Sequence, residues 1–431
     1  MSTKRVIVVG SGVSGSAAAL RVRELLGDAV EITVLEAGET VGGRAQRTSF
    51  AGEEVEIGGT LLHSTNGLVV DLMKRLGLKR AERAAEGGLD SGIGIWDGTR
   101  FVLRLRTGRW GFLAAVIARY RLPSLRRLGV AAREALGRFE RLYALLDGRR
   151  FRTPAELAEA AGFAELSRLS ITDALLGQGV SQRAINEIGG GVLRNMYNQS
   201  PTIAAFPGFV GLIGAGLAGG ELFSIAGGNN QLAEGSLRLA GAEVRTGCRV
   251  VEVRDDRTVV LEDGSELTAD VVVLAVPLAV AGITLPSAVE LPPTRYRRVN
   301  VTLVAGTPSA TYFGTPKPPN TIFTVADSPT PFNSIGTVGW SRSEQVPILK
   351  FFSLEELPDA LVGDLVDDVR AVKRHEWDAY PIMEVNPQSA PFELAPGIFF
   401  PNALEVYMST LETETIAGRV VGDLVADRLR A

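Results

Sequence analysis

Branched apolar residues open the chain: Arg5–Val9 reads RVIVV, and an unbroken run of this kind marks a strand buried on both faces. Glycines follow at once in Gly10-Ser11-Gly12-Val13-Ser14-Gly15. Next comes SAAALRVRELLG, whose apolar residues recur at helical spacing. A second strand, Val30–Leu35, ends on Glu36. The middle of the chain predicts helices. Thr153-Pro154-Ala155-Glu156 spells a capping box with proline at the first helical position, and Ser170-Ile171-Thr172-Asp173 opens another helix. Strand patterns return at Val244 and run as a meander around Asp255-Asp256 and Asp263-Gly264 into the apolar Val271–Val276. Residues 286–392, with many short apolar runs and prolines, predict an antiparallel sheet, and a long helix is predicted after Phe400. Residues 203–220 are apolar or glycine throughout, but the glycines and Pro207 predict a closely packed cleft wall rather than a spanning helix.

Strand, glycine turn, helix, strand and terminal acid together form the dinucleotide-binding fingerprint. Gly10 permits the tight turn, Gly12 lets backbone approach a pyrophosphate, and Gly15 lets helix and strand pack closely. The helix N-terminus at Val13 and Ser14 faces the negative charge. Glu36, followed by Ala37, accepts hydrogen bonds from the adenosine ribose. Two further glycine pairs, Gly42-Gly43-Arg44 and Gly58-Gly59-Thr60, resemble those of amine-oxidase-type flavin enzymes. An extended FAD needs such bare backbone, and a nicotinamide dehydrogenase does not. The expected architecture is therefore α/β, α+β overall: a Rossmann-like FAD-binding domain of the two-dinucleotide-binding-motif type with a discontinuous substrate domain. The boundaries expected are 1–65, 221–285 and 393–431 for FAD binding, and 66–220 and 286–392 for helices and a mixed or antiparallel substrate sheet.

Further motifs resemble the prenylcysteine oxidase (prenylcysteine lyase) family of amine-oxidase-like flavoproteins over nearly the whole chain. They include Glu56-Ile-Gly-Gly-Thr-Leu-Leu-His63, Asn195-Met-Tyr-Asn-Gln-Ser200, Ala226-Gly-Gly-Asn229, Trp377-Asp-Ala-Tyr-Pro381 and Asn402-Ala-Leu-Glu405. The resemblance implies an FAD oxidase that removes hydride from the carbon next to a thioether sulfur. Water then adds, the hemithioacetal collapses to aldehyde and thiol, and O2 takes the electrons to give H2O2. It also places backbone near Val251 against the adenine. The helix opened by Ser409-Thr410-Leu411-Glu412 points its N-terminus at the flavin, with Glu405 holding the ribityl chain or FAD loop. The alternatives left open are a flavin enzyme tailoring a cysteine-derived, carrier-tethered intermediate, and an accessory flavoprotein without turnover. PNALEV near the end of the chain disfavours amine oxidation, since amine oxidases carry a glycine followed by an acid there.

Composition removes other classes. Cys248 is the only cysteine and His63 and His375 the only histidines, which excludes an intrachain disulfide, a CxxC pair and a multi-histidine metal site. The net charge of −4 speaks against nucleic acid as a partner. The chain starts straight into a strand, so a cytoplasmic protein is expected. His63 is the candidate base or water-positioning group, and Tyr197 and Gln199 are the substrate-side candidates, with Trp377 and Tyr380 as aromatic walls. Charge is uneven in one place. Residues 101–150 hold twelve arginines against Glu134, Glu140 and Asp147, and a helix capped by Ser124 is expected to be apolar on one face and basic on the other. Such a face suits an anionic membrane surface or an acidic carrier protein presenting an apolar thioether.

Overall fold

Both ends of the chain meet in one parallel sheet. The computed structural model describes residues 3–81, 90–106 and 110–431. Its six-stranded sheet runs Glu393–Ala395, Ile398–Phe399, Val271–Leu274, Lys4–Val9, Val30–Leu35, Glu243–Arg245. Neighbours are parallel except the first pair. The two apolar runs predicted as buried strands lie side by side at its centre, Val6 opposite Val271 through Val9 opposite Leu274. Helix Val13–Leu26 packs on helix Leu411–Arg430. A Cβ on Gly418 would stand 2.3 Å from the Ser14 carbonyl, so the helices meet backbone to backbone.

The second sheet has seven strands, Val366–Pro381, Tyr296–Pro308, Val346–Ser353, Ser334–Ser341, Pro319–Thr324, Asp90–Trp96, Phe101–Arg106. It is antiparallel apart from the pairing of Pro319–Thr324 with Asp90–Trp96. A hairpin, Arg47–Phe50 with Glu53–Glu56, folds onto one face, where Phe50, Val55 and Ile57 share a core with Val299, Val301 and Leu303. The hairpin follows the first glycine turn, so this contact ties the parallel sheet to the antiparallel one. Helices between Trp110 and Gly214 cover the remaining side.

Several local expectations change in the structure. Residues 203–220 supply only helix Ala205–Gly214, buried nearly throughout, and among the described residues no helix is long and apolar enough to cross a membrane. Helix Leu122–Leu146 is not capped by Ser124. Pro123 already lies in its first turn, so Ser124 comes too late to cap and instead accepts from the Ser181 amide at 2.9 Å. The inner face is as expected, with Leu128, Ala132, Phe139, Leu142 and Leu146 buried. Thr153 does cap its helix, but Glu156 reaches back to the Arg152 amide at 2.8 Å rather than to that of Thr153.

Candidate cofactor and substrate site

The glycines of the first turn divide into two kinds. A Cβ on Gly10, whose φ is +97°, would lie 2.4 Å from the Ala275 carbonyl, and one on Gly15 would lie 2.3 Å from the Gly10 carbonyl. Those two glycines serve the packing of the protein itself. A Cβ on Gly12 would meet only the Gly43 Cα, at 3.9 Å, and one on Gly59 only Leu411, at 3.8 Å. Here the backbone is bare without any demand from the protein, which is the shape of a cradle for a ligand. Glu36 stands at its edge, held by the Ser11 amide at 3.0 Å and hydroxyl at 2.5 Å and by the Gly38 amide beyond Ala37 at 2.8 Å. Val251 lies three residues beyond Cys248, whose amide donates to the Glu36 carbonyl at 2.8 Å. The ladder skips it, Val250 pairing with Leu261 and Glu252 with Val260, so its amide is outside the strand pairing.

A second group of side chains orders the loop at Gly58-Gly59-Thr60 from behind. Lys350 Nζ donates to the carbonyls of Glu56 (3.2 Å) and Gly58 (3.3 Å) and to Thr60 Oγ1 (2.7 Å). Asn229 Nδ2 donates to the carbonyls of Gly59 (2.8 Å) and Thr60 (3.1 Å), and the Asn229 amide donates to the Glu56 carboxylate. The loop carbonyls are thus turned toward the protein. Burial pushes the Lys350 ammonium down to about 8, opposed by the nearby Glu56. The Trp377 ring closes over Gly58, where a Cβ would come within 2.7 Å of it.

The third group lies between the two sheets. Glu405, almost fully buried, forms an ion pair with Arg44 and accepts from Asn402 Nδ2 at 2.5 Å and from the Tyr296 hydroxyl at 2.8 Å. Arg44 also donates to the Ala379 carbonyl at 2.9 Å. Burial alone would lower the guanidinium, but Glu405 and Glu414 beside it hold it above its ordinary value. Burial and the neighbouring Glu405 raise Glu414 well above the usual carboxylate range. Helix Leu411–Arg430 starts next to Gly59, yet its cap is Thr410 and not Ser409: Thr413 N donates to Thr410 Oγ1 and Thr410 N to Thr413 Oγ1. The expected partner, Glu412, is engaged elsewhere. It accepts the Leu68 and Val69 amides at 2.9 Å each and the Tyr143 hydroxyl at 2.6 Å, capping helix Gly67–Leu76 from outside.

The three residues predicted for catalysis have different fates. His63 is buried, with Nδ1 2.7 Å from Thr65 Oγ1 and Nε2 2.8 Å from the Gly219 carbonyl. Both ring nitrogens are therefore engaged within the protein, and service as a base requires breaking one of these bonds. Gln199 is equally committed: its amide donates to the Pro381 carbonyl at 2.9 Å, and its carbonyl accepts the Met383 amide at 3.0 Å. Tyr197 is different. It is 1% exposed, its hydroxyl has no partner, and its ring meets Tyr380 edge-on at 5.7 Å. His375 is half-buried against Trp377 at 4.8 Å rather than exposed. Lys350, Asn229, Tyr296 and Glu414 were not singled out as site residues. Lys350 carries the plainest signal, a lone charge inside the apolar strand VPILKFFS in a chain with only six lysines.

Bare glycine backbone, an acid at the end of the second strand and loop carbonyls turned toward the protein fit FAD, which Gly10–Gly15, Glu36, Gly43, Arg44 and Gly58–Thr60 would hold. The fold and this site define an FAD-dependent flavoprotein oxidoreductase of the amine-oxidase architecture. A triple mutant of putrescine oxidase superposes with a TM-score of 0.66 at 18% identity, covering 98% of this chain and 99% of that one. Cyclohexylamine oxidase from Brevibacterium oxydans superposes at 0.63 and 16% identity, with both chains fully covered. These likenesses concern the fold alone. The family described as prenylcysteine lyase matches residues 109–431, and that described as an NAD(P)-binding Rossmann-like domain matches residues 8–76. The chain belongs to the prenylcysteine lyase family. Among its relatives are farnesylcysteine lyase of Arabidopsis thaliana, 28% identical over 99% of this chain and 89% of the relative, and prenylcysteine oxidase 1 of Homo sapiens, 26% identical over 96% and 87%.

Proposed function

We propose that the protein oxidises the carbon attached to the thioether sulfur of a free prenylated cysteine and so cleaves the carbon–sulfur bond. The observation that carries this is the wall of the cleft beside Gly58-Gly59. Leu61 there is 59% exposed and the Trp377 ring closes over Gly58, so an apolar chain is favoured over a charged amine. The names of the relatives, farnesylcysteine lyase and prenylcysteine oxidase, support the same substrate class. Bound FAD supplies the two-electron acceptor for that carbon, with O2 as the final acceptor. The balance is one thioether, one O2 and one water to one aldehyde, one thiol and one H2O2. The protein needs no strong base, because a carbon oxidised next to sulfur takes up water readily and the sulfur leaves as thiol. Its tasks are orientation, through the loop pinned by Lys350 and Asn229, and electrostatics, through the free amides at the start of helix Leu411–Arg430.

The arginine-rich face is read as the point of delivery. Arg126, Arg133 and Arg141 have no acidic partner among the described residues, and Leu122 and Val130 are exposed on the same helix; Arg109 lies outside the described residues. Basic and apolar side chains on one helix suit an anionic lipid surface in which a prenyl chain is dissolved. The test of the reaction is anaerobic mixing with S-farnesylcysteine. Bleaching of the flavin absorbance with release of farnesal and cysteine upholds it; unchanged absorbance sinks it.

A further inference from the structure

Arg295, Arg297 and Arg298 stand almost consecutively at the start of one strand, and they are not treated alike. The two exposed ones find acids: Arg295 pairs with Glu384 at 2.5 Å and Arg298 with Glu376 at 2.7 Å. Arg297 is half-buried, its Nε is shut off from solvent, and among the described residues no side chain or carbonyl accepts from it. Every other half-buried arginine among the described residues has an acceptor. A guanidinium nitrogen shut off from water without a partner is costly, and such a group is kept where a ligand completes it.

Its surroundings say which ligand. Tyr296, one residue earlier, donates to Glu405 in the cofactor cradle. Arg297 is opposite Tyr380 in the ladder, and directly opposed residues share a face. Beside them the ladder bulges at Ala379, whose carbonyl accepts from Arg44. Bulges next to active sites re-aim side chains. On that face the Tyr380 ring meets Tyr197, whose buried hydroxyl is also without a partner. Among the described residues, an unpartnered guanidinium nitrogen and an unpartnered hydroxyl thus adjoin Tyr380.

We propose that Arg297, assisted by the Tyr197 hydroxyl, binds a carboxylate of the substrate. Resting on the thioether reading above, this is the carboxylate of the cysteine moiety, and it fixes which end of the molecule faces the sheet. An ester or a peptide bond at that position removes the charge, so the free amino acid is preferred over a prenylated protein terminus that is still methylated.

The test compares S-farnesylcysteine with its methyl ester on wild-type enzyme, Arg297→Met and Arg297→Lys. Wild type should favour the acid in kcat/KM by about 10–100-fold, the range of a charge-assisted hydrogen bond. Arg297→Met should lose that preference through KM for the acid while leaving the ester and the flavin content unchanged. Arg297→Lys should recover part of it, since an ammonium keeps the charge but not the bidentate fork. Equal handling of acid and ester by wild type, or an equal loss for both in Arg297→Met, overturns the proposal. If wild type bleaches with neither compound, the thioether reading fails instead. The anion site is then decided by perturbation of the bound flavin spectrum with decanoate and decan-1-ol. Tighter decanoate binding that Arg297→Met abolishes upholds it, and equal binding of the two overturns it.

Discussion

Gly12 and Gly10 differ in sequence only by one position of a motif, yet the structure gives them opposite consequences. A Cβ at Gly12 would meet only the Gly43 Cα, at an ordinary contact distance of 3.9 Å, so Gly12→Val should fold and remain colourless. Measured flavin per chain should fall by at least about tenfold, since a branched side chain occupies the pyrophosphate position. Retained yellow colour removes the pyrophosphate from that turn. Glu414 offers a pH test. Burial raises its folded value above the ordinary carboxylate range, so the folded state holds a proton that the unfolded chain has released. Stability from this group is present at acid pH and declines as pH rises from the ordinary carboxylate range through the folded value. Glu414→Gln imitates the protonated acid and does not titrate. Its unfolding temperature should therefore gain on wild type between pH 5 and pH 8; a constant difference would mean that Glu414 is ionised in the fold.

Elements show how much the sequence carries and where it stops. Strand Val30–Leu35, helix Val13–Leu26 and the central apolar runs were legible because their pattern repeats within one element. Caps were half legible. Ser170 and Thr153 cap as their spacing predicts, whereas Ser124 and Ser409 do not, because a neighbouring Pro123 or a better partner for Glu412 decides the matter. Site residues divide in the same way. The glycines and Glu36 are local, but Lys350 reaches its loop from 290 residues away, and no spacing rule reports a contact of that kind. Likewise His63 and Gln199 looked chemical in sequence and are consumed by bonds to Gly219, Pro381 and Met383. The cap supplied by Glu412 to helix Gly67–Leu76 carries its own prediction. Glu412→Ala leaves the Leu68 and Val69 amides buried without an acceptor and should cost about 2 kcal/mol in denaturant unfolding. A loss within 0.5 kcal/mol would mean that water replaces the carboxylate.

At the scale of the whole molecule, the two sheets differ: the parallel one carries the glycine turn that fits the cofactor and the antiparallel one stands against it, with Arg44 and Glu405 between them. The basic face of helix Leu122–Leu146 lies outside both. Some of its charge is spent internally, Arg127 on the Gly179 carbonyl and Arg138 on that of Gly162. Reversal of Arg126, Arg133 and Arg141 to Glu should weaken cosedimentation with phosphatidylserine vesicles by at least about tenfold, and salt should do the same to wild type. Turnover of a soluble short-chain thioether should stay as it is. Binding to neutral vesicles that ignores both salt and substitution would remove the charged face from membrane delivery.

The cap from Glu412 also sets an order of events during synthesis. Strand Lys4–Val9 leaves the ribosome first, but its neighbour Val271–Leu274 and the helix that packs on Val13–Leu26 arrive only after most of the chain. At about 5–20 residues per second, Glu412 follows Glu36 by roughly 20–80 s. Until Val271–Leu274 is made one side of the central strand is unpaired, and until Glu412 is made the amides that start helix Gly67–Leu76 await their carboxylate. The cradle is complete only once the last forty residues, with Glu405 and helix Leu411–Arg430, have docked.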